Sequence, residues 1–136
     1  MIFKKQYPIY KGFAFENLVY DAVLEFKFVT KSPMEYVGKF VQRNVEIDLI
    51  IKSGTKLYAI EIKYGPNNFK QLRVKEFVKK LEYLKAQLTK HNLGDLKIVP
   101  GYVTLFDLHE NLKKQVGSVL PDVRFWNVSE VLKGQL

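Results

Sequence analysis

The segment at residues 44–64, NVEIDLIIKSGTKLYAIEIKY, contains two runs that are typical of β-strands, separated by a short polar turn. Gly54 and Thr55 suit a two-residue type II′ turn, in which the glycine supplies the positive φ of the first loop position. Counting outward from this turn pairs the two runs as an antiparallel hairpin. The pairing predicts that Asp48 lies directly opposite Glu61.

Side chains alternate between the two faces of a strand, so the hairpin has one face rich in charge. Asp48, Glu61 and Lys63 are predicted on that face. The opposite face is predicted to be apolar, with Ile47, Leu49, Ile60 and Ile62.

Two facing carboxylates are unfavourable unless a positive charge lies between them or beside them. They repel by on the order of 4 kcal/mol at about 4 Å in a partly buried site. A divalent cation would offset that repulsion, and Mg²⁺ prefers carboxylate oxygens and water as ligands. The alternative is a solvated outer face on which Lys63 neutralises one carboxylate. The apolar run around Asp48 favours the metal site over this alternative, because Asp is rarely buried without a partner.

The spacing of these residues resembles the PD-(D/E)XK nuclease superfamily. Asp48 is followed by Glu61-Ile62-Lys63 within an apolar hairpin, and a helix carrying Glu16 precedes it. Ile47 stands where the superfamily name has its proline. The sequence KGFAFENLV at residues 11–19 also resembles the nuclease-like C-terminal domain of some prokaryotic AAA-type ATPases.

The resemblance implies a Mg²⁺-dependent nuclease, with Mn²⁺ as a substitute ion, that hydrolyses phosphodiester bonds in DNA. It assigns Asp48, Glu61 and the main-chain carbonyl of Ile62 to the metal. Lys63 would orient the attacking water, and Glu16 would support the water shell of the metal. Glu16, Asp48, Glu61 and Lys63 are therefore the predicted catalytic residues.

The elements around the hairpin predict an α/β fold within a single domain spanning residues 1–136. Their order matches a restriction-endonuclease-like αβββαβ core, in which helices flank a mixed central sheet. Apolar spacing predicts the first helix at 13–28 and a long helix at 69–90, with strands at 34–42, 97–106 and 123–126.

The long helix has an apolar stripe and a basic face. The stripe consists of Phe69, Leu72, Phe77, Leu81, Leu84 and Leu88. At the start of the other face, Lys70, Gln71, Arg73 and Lys75 are predicted to bind nucleic acid. The alternative for these four residues is a solvated basic surface without a specific ligand.

The whole chain is basic, with a formal net charge of +8 and a pI of about 9.5. A polyanionic partner fits this charge, because lysines and arginines that neutralise phosphates release counterions. The absence of cysteine excludes disulfides and thiolate metal sites. No apolar run approaches the roughly 20 residues of a membrane span. The start, MIFKKQYPIY, lacks the apolar core of a signal peptide. We therefore expect a cytoplasmic protein without membrane contact.

Three functional readings follow. The first is the nuclease, acting on DNA, with a homodimer and association with an ATPase as further expectations. The second is a catalytically inactive nuclease-like domain that binds nucleic acid or docks onto a partner ATPase. The third is a purely structural protein-binding domain.

Overall fold

The computed structural model describes residues 19–21, 33–63 and 69–127. The regular elements in these ranges are β1 (Tyr36–Gln42), β2 (Val45–Ser53), β3 (Lys56–Lys63), α1 (Gln71–Lys90), β4 (Lys97–Thr104), α2 (Glu110–Val119) and β5 (Arg124–Asn127). Residues 19–21 are helical, within the predicted first helix. Glu16 lies outside the described residues.

The five strands form one mixed sheet in the order β1-β2-β3-β4-β5. The first three strands are antiparallel neighbours, whereas β4 pairs in parallel with both β3 and β5. Parallel neighbours require a crossover, which α1 provides between β3 and β4 and α2 provides between β4 and β5. The predicted α/β class, with a mixed sheet flanked by helices, is confirmed.

The turn of the β2–β3 hairpin sets its register. Gly54 has a φ of 60°, which an L-residue adopts only with strain, and the strands pair outward from it. Ser53 pairs with Lys56, and the regular ladder continues to Leu49 and Ile60. The predicted register is therefore confirmed as far as that pair, which lies immediately before Asp48 and Glu61.

A bulge in β2, just beyond the end of the regular ladder, reverses the alternation of its side chains between the two faces of the sheet. The pairing of β1 with β2 shifts between Gly38 and Phe40, so that Asp48 and Leu49 together face one residue of β1. Leu49 packs in the core on one side of the sheet, with Ile60 and Ile62, while Ile47 packs in the core on the other side. The prediction that Ile47 shares a face with Leu49 is wrong, because the extra residue reverses the alternation of side chains.

Helix α1 packs on the same side of the sheet as Ile47. Its buried residues are Val74, Phe77, Leu81 and Leu84, which follow one another at spacings of three and four. Leu72, predicted in this stripe, is 67% exposed. It lies two positions before Val74, and two positions on a helix turn the side chain more than halfway around the axis.

Tyr102 of β4 is the centre of an aromatic cluster between the sheet and the helices. Its ring centroid lies 4.9 Å from that of Phe69, 5.1 Å from that of Phe77 and 5.9 Å from that of Phe125. The first two pairs are edge-to-face, the arrangement that the ring quadrupole favours. This cluster fixes the start of α1 over β3 and β4.

Candidate functional site

Asp48 and Glu61 meet where the hairpin ladder ends. The main-chain N–H of Asp48 donates to Glu61 Oε2 at 3.1 Å, and the N–H of Ile62 donates to Asp48 Oδ2 at 2.8 Å. Each carboxylate thus accepts a hydrogen bond from the opposite strand. The structure brings together the two acids that the sequence placed opposite each other, and it fixes both through the backbone.

Glu61 is buried, with 2% of the residue exposed, and two lysines approach the same carboxylate oxygen. Lys80 Nζ lies 2.9 Å from Glu61 Oε1, and Lys63 Nζ lies 3.8 Å from it. Lys63 comes from the same strand, whereas Lys80 reaches down from α1. The negative charge of Glu61 is therefore compensated at Oε1 by cations from two elements.

Lys80 is the site residue that the sequence reasoning missed, since the basic face of α1 was interpreted as solvated. A signal existed in the spacing of the helix. Lys80 follows Phe77 by three positions and precedes Leu84 by four, so it lies at the edge of the buried stripe rather than opposite it. A lysine at such a position reaches the sheet, where a buried acid is its natural partner.

The main chain of Ile62 points toward the same end of the hairpin. Its N–H donates to the Asp48 carboxylate, which belongs to β2. The N–H and C=O groups of one strand residue point toward the same neighbouring strand. The carbonyl of Ile62 is therefore directed toward β2, on the side of Asp48.

Tyr102 lies beside Glu61 across the β3–β4 pairing. Burial raises the pKa of the Tyr102 phenol above its usual range, and the negative charge of Glu61 raises it further. Tyr102 consequently borders Glu61 as a neutral aromatic residue and contributes no second negative charge.

The donor set suits a hard cation. Among the described residues there is no group of three or more His, Cys, Asp or Glu side chains that could hold a metal ion. Mg²⁺ needs only one or two carboxylates, however, and completes its shell with water and phosphate. Glu61 Oε1 already accepts a hydrogen bond from the Lys80 ammonium, so the site accommodates a positive charge next to this oxygen. Asp48 and Glu61 are the two described carboxylates that could hold such an ion.

The predicted nucleic-acid contacts lie at the start of α1, away from its sheet-facing side. Lys70, Gln71, Arg73 and Lys75 are all exposed. Arg73 pairs with Glu76 one turn along the helix at 3.3 Å. These side chains present a polar, basic surface to solvent, whereas Lys80 belongs to the carboxylate pair.

Comparison with known proteins gives a family. No curated protein and no solved structure matches the chain significantly. Among the described residues, none of the helices combines the length and the apolar character that a membrane span requires. The family described as a domain of unknown function, DUF4143, matches residues 11–105, a range that includes the hairpin, α1 and β4. Domains of this family are often found in proteins associated with AAA-type ATPases. The chain belongs to the DUF4143 family.

Proposed function

We propose that this protein is a Mg²⁺-dependent nuclease that hydrolyses phosphodiester bonds in DNA, with Mn²⁺ as a substitute ion. One observation carries the proposal: reciprocal hydrogen bonds hold Asp48 and Glu61 together at the end of the hairpin. Lys63 adds a cationic group 3.8 Å from the Glu61 carboxylate. Two acids and a lysine at one strand end match the residue types that this chemistry requires.

Each residue has a separate role. Asp48 and Glu61 would hold Mg²⁺, with the carbonyl of Ile62 as a further ligand. A bound ion of this kind lowers the pKa of its water and neutralises charge that develops on the phosphate. The Lys63 ammonium would orient the attacking water, and Glu16, which lies outside the described residues, would support the water shell of the metal.

The exposed basic residues at the start of α1 and just before it would bind the nucleic acid rather than take part in the hydrolysis. Lys70, Arg73 and Lys75 neutralise backbone phosphates, and Gln71 donates a hydrogen bond to them. Such contacts position the nucleic acid without reading its sequence. We therefore expect binding to weaken steeply as salt concentration rises.

A second function is favoured by a different observation. Lys80 already neutralises Glu61 at 2.9 Å, as in a purely structural ion pair, and the family is associated with ATPases. In this reading the protein is a catalytically inactive nuclease-like domain that binds nucleic acid or docks onto an ATPase. Its DNA binding would be sensitive to salt, unaffected by EDTA and unchanged by Asp48→Asn.

Cleavage of plasmid and branched DNA in Mg²⁺ or Mn²⁺ tests the choice. We expect the wild type to cut, and Asp48→Ala, Glu61→Ala and Lys63→Ala to lose activity. Lys114→Ala is the control, because it removes an exposed lysine from α2, outside the proposed site. Cleavage that survives all three site substitutions would refute the nuclease mechanism. Binding without cleavage in the wild type would support the second function.

A further inference from the structure

The position of Lys80 has a consequence for how the site takes up a metal. We propose that Lys80 is an internal counter-cation that occupies Glu61 Oε1 and competes there with a divalent ion. This inference deepens the proposed function, because it concerns the cation affinity of the same site. It does not require that the protein cut DNA.

The two oxygens of Glu61 have different partners. Oε2 accepts the N–H of Asp48, a bond that joins the two strands where the ladder ends. Oε1 accepts the Lys80 ammonium at 2.9 Å. A cation that binds through Oε1 leaves the hairpin hydrogen bond intact, so Oε1 is the oxygen through which Glu61 can accept an ion. Lys80 holds that oxygen.

Lys80 is able to withdraw. Its side chain is 31% exposed and belongs to a long, flexible stem on α1, whereas the Glu61 side chain is 3% exposed and fixed in the sheet. Lys63 lies 3.8 Å from the same oxygen, beyond hydrogen-bonding distance, so Lys80 is the group in direct contact. Departure of Lys80 into solvent would leave Lys63, at 3.8 Å, as the remaining cation near Glu61 Oε1, and a metal ion could then bind directly to this oxygen.

Competition lowers the apparent affinity by the fraction of molecules in which Oε1 is accessible. Removal of the Lys80 ammonium should therefore tighten binding. Because the wild type must break a charge-assisted hydrogen bond before the ion can bind and the variant need not, we expect roughly tenfold tighter binding or more. Lys80→Met keeps most of the apolar stem and removes the charge, while Lys80→Arg keeps the charge and should bind no more tightly than the wild type.

The experiment is calorimetric titration of Mn²⁺ into the wild type, Lys80→Met, Lys80→Arg and Lys79→Met. Lys79→Met is the matched control, because it removes the same charge from the adjacent, exposed position of α1. We expect Lys80→Met to bind at least about tenfold more tightly than both the wild type and Lys79→Met. Equal affinity of Lys80→Met and Lys79→Met overturns the proposal, as does the absence of Mn²⁺ binding in every protein.

A second measurement does not depend on the folding of a variant. In a crystal structure of the wild type with Mn²⁺, we expect the ion on Glu61 Oε1 and Lys80 Nζ displaced from it. An ion bound with the Lys80 contact retained overturns the proposal.

The two proposals fail separately. DNA cleavage by the wild type, without tighter Mn²⁺ binding in Lys80→Met, would reject the counter-cation and leave the nuclease. Tighter binding in Lys80→Met without any cleavage would reject the nuclease and leave the counter-cation.

Discussion

The ion pair between Glu61 and Lys80 makes a quantitative prediction about stability. At an effective dielectric of about 20, unit charges about 3 Å apart attract by on the order of 5–6 kcal/mol. The free-energy cost of desolvating the buried Glu61 carboxylate offsets much of that attraction, while Lys80, whose side chain is 31% exposed, loses less hydration. We expect Lys80→Met to lower the free energy of unfolding by about 2 kcal/mol, since it leaves Glu61 with Lys63 alone at Oε1.

Glu61→Gln should lower the free energy of unfolding less than Lys80→Met does, because the Lys80 side chain, without its partner, can turn toward solvent. We expect a loss of about 1 kcal/mol from this change. The double variant Glu61→Gln/Lys80→Met contains neither charge, so it should be about 1–2 kcal/mol more stable than the sum of the single effects implies. Replacement of a buried ion pair by neutral groups is often close to neutral in stability, which is the physical reason for this coupling.

Urea unfolding at neutral pH gives the free energy of unfolding of the wild type, the two single variants and the double variant. Lys79→Met is again the control, and we expect it to change stability by less than about 0.5 kcal/mol. Additive effects of the two single substitutions, within about 0.3–0.5 kcal/mol, would refute the conclusion that the two charges interact. Raised salt should reduce the coupling only slightly, because partly buried pairs are weakly screened.

Three further predictions concern other parts of the fold. In Gly101→Ala, the new Cβ would lie 2.5 Å from the Trp126 ring. We therefore expect the free energy of unfolding, measured in urea, to fall by about 1–3 kcal/mol and the tryptophan fluorescence to shift. An unchanged stability and an unchanged fluorescence would contradict this packing. Because the pKa of Tyr102 is raised, the wild type should lose stability as pH rises above about 10, and Tyr102→Phe should lose less over the same range. The ammonium of Lys52 lowers the pKa of Glu35, so the wild type should lose stability as pH falls below about 4.5, and Glu35→Gln should show a shallower acid dependence. Parallel pH curves for variant and wild type would contradict either titration prediction.

The sequence predicted those features that local interactions determine. Gly54 alone specifies the turn, and the register of the hairpin follows from it by counting. The long helix between β3 and β4 supplies the crossover that a parallel return requires, so the mixed sheet was also predictable.

The errors arose where a neighbouring strand or helix decides the outcome. Ile47 changes face because β1 pairs with β2 through a bulge, and the β2 sequence contains no sign of how β1 will align. Lys80 was missed because a run of lysines on a helix is usually solvated, and its partner lies nineteen positions earlier in the chain. The site can be predicted as a pair of acids from one hairpin, but its full electrostatics depend on where α1 docks.

Glu61 is difficult to explain by stability alone. In the described part of the chain it is the only charged residue among the buried ones, and it lies on the third of five strands. An apolar residue there would avoid the desolvation of a carboxylate, and Ile60 and Ile62 show that the strand otherwise buries aliphatic side chains. A carboxylate retained in this position, with Oε2 accepting the Asp48 N–H and Oε1 accepting the Lys80 ammonium, supports the proposal that this site binds a cation in exchange for the lysine.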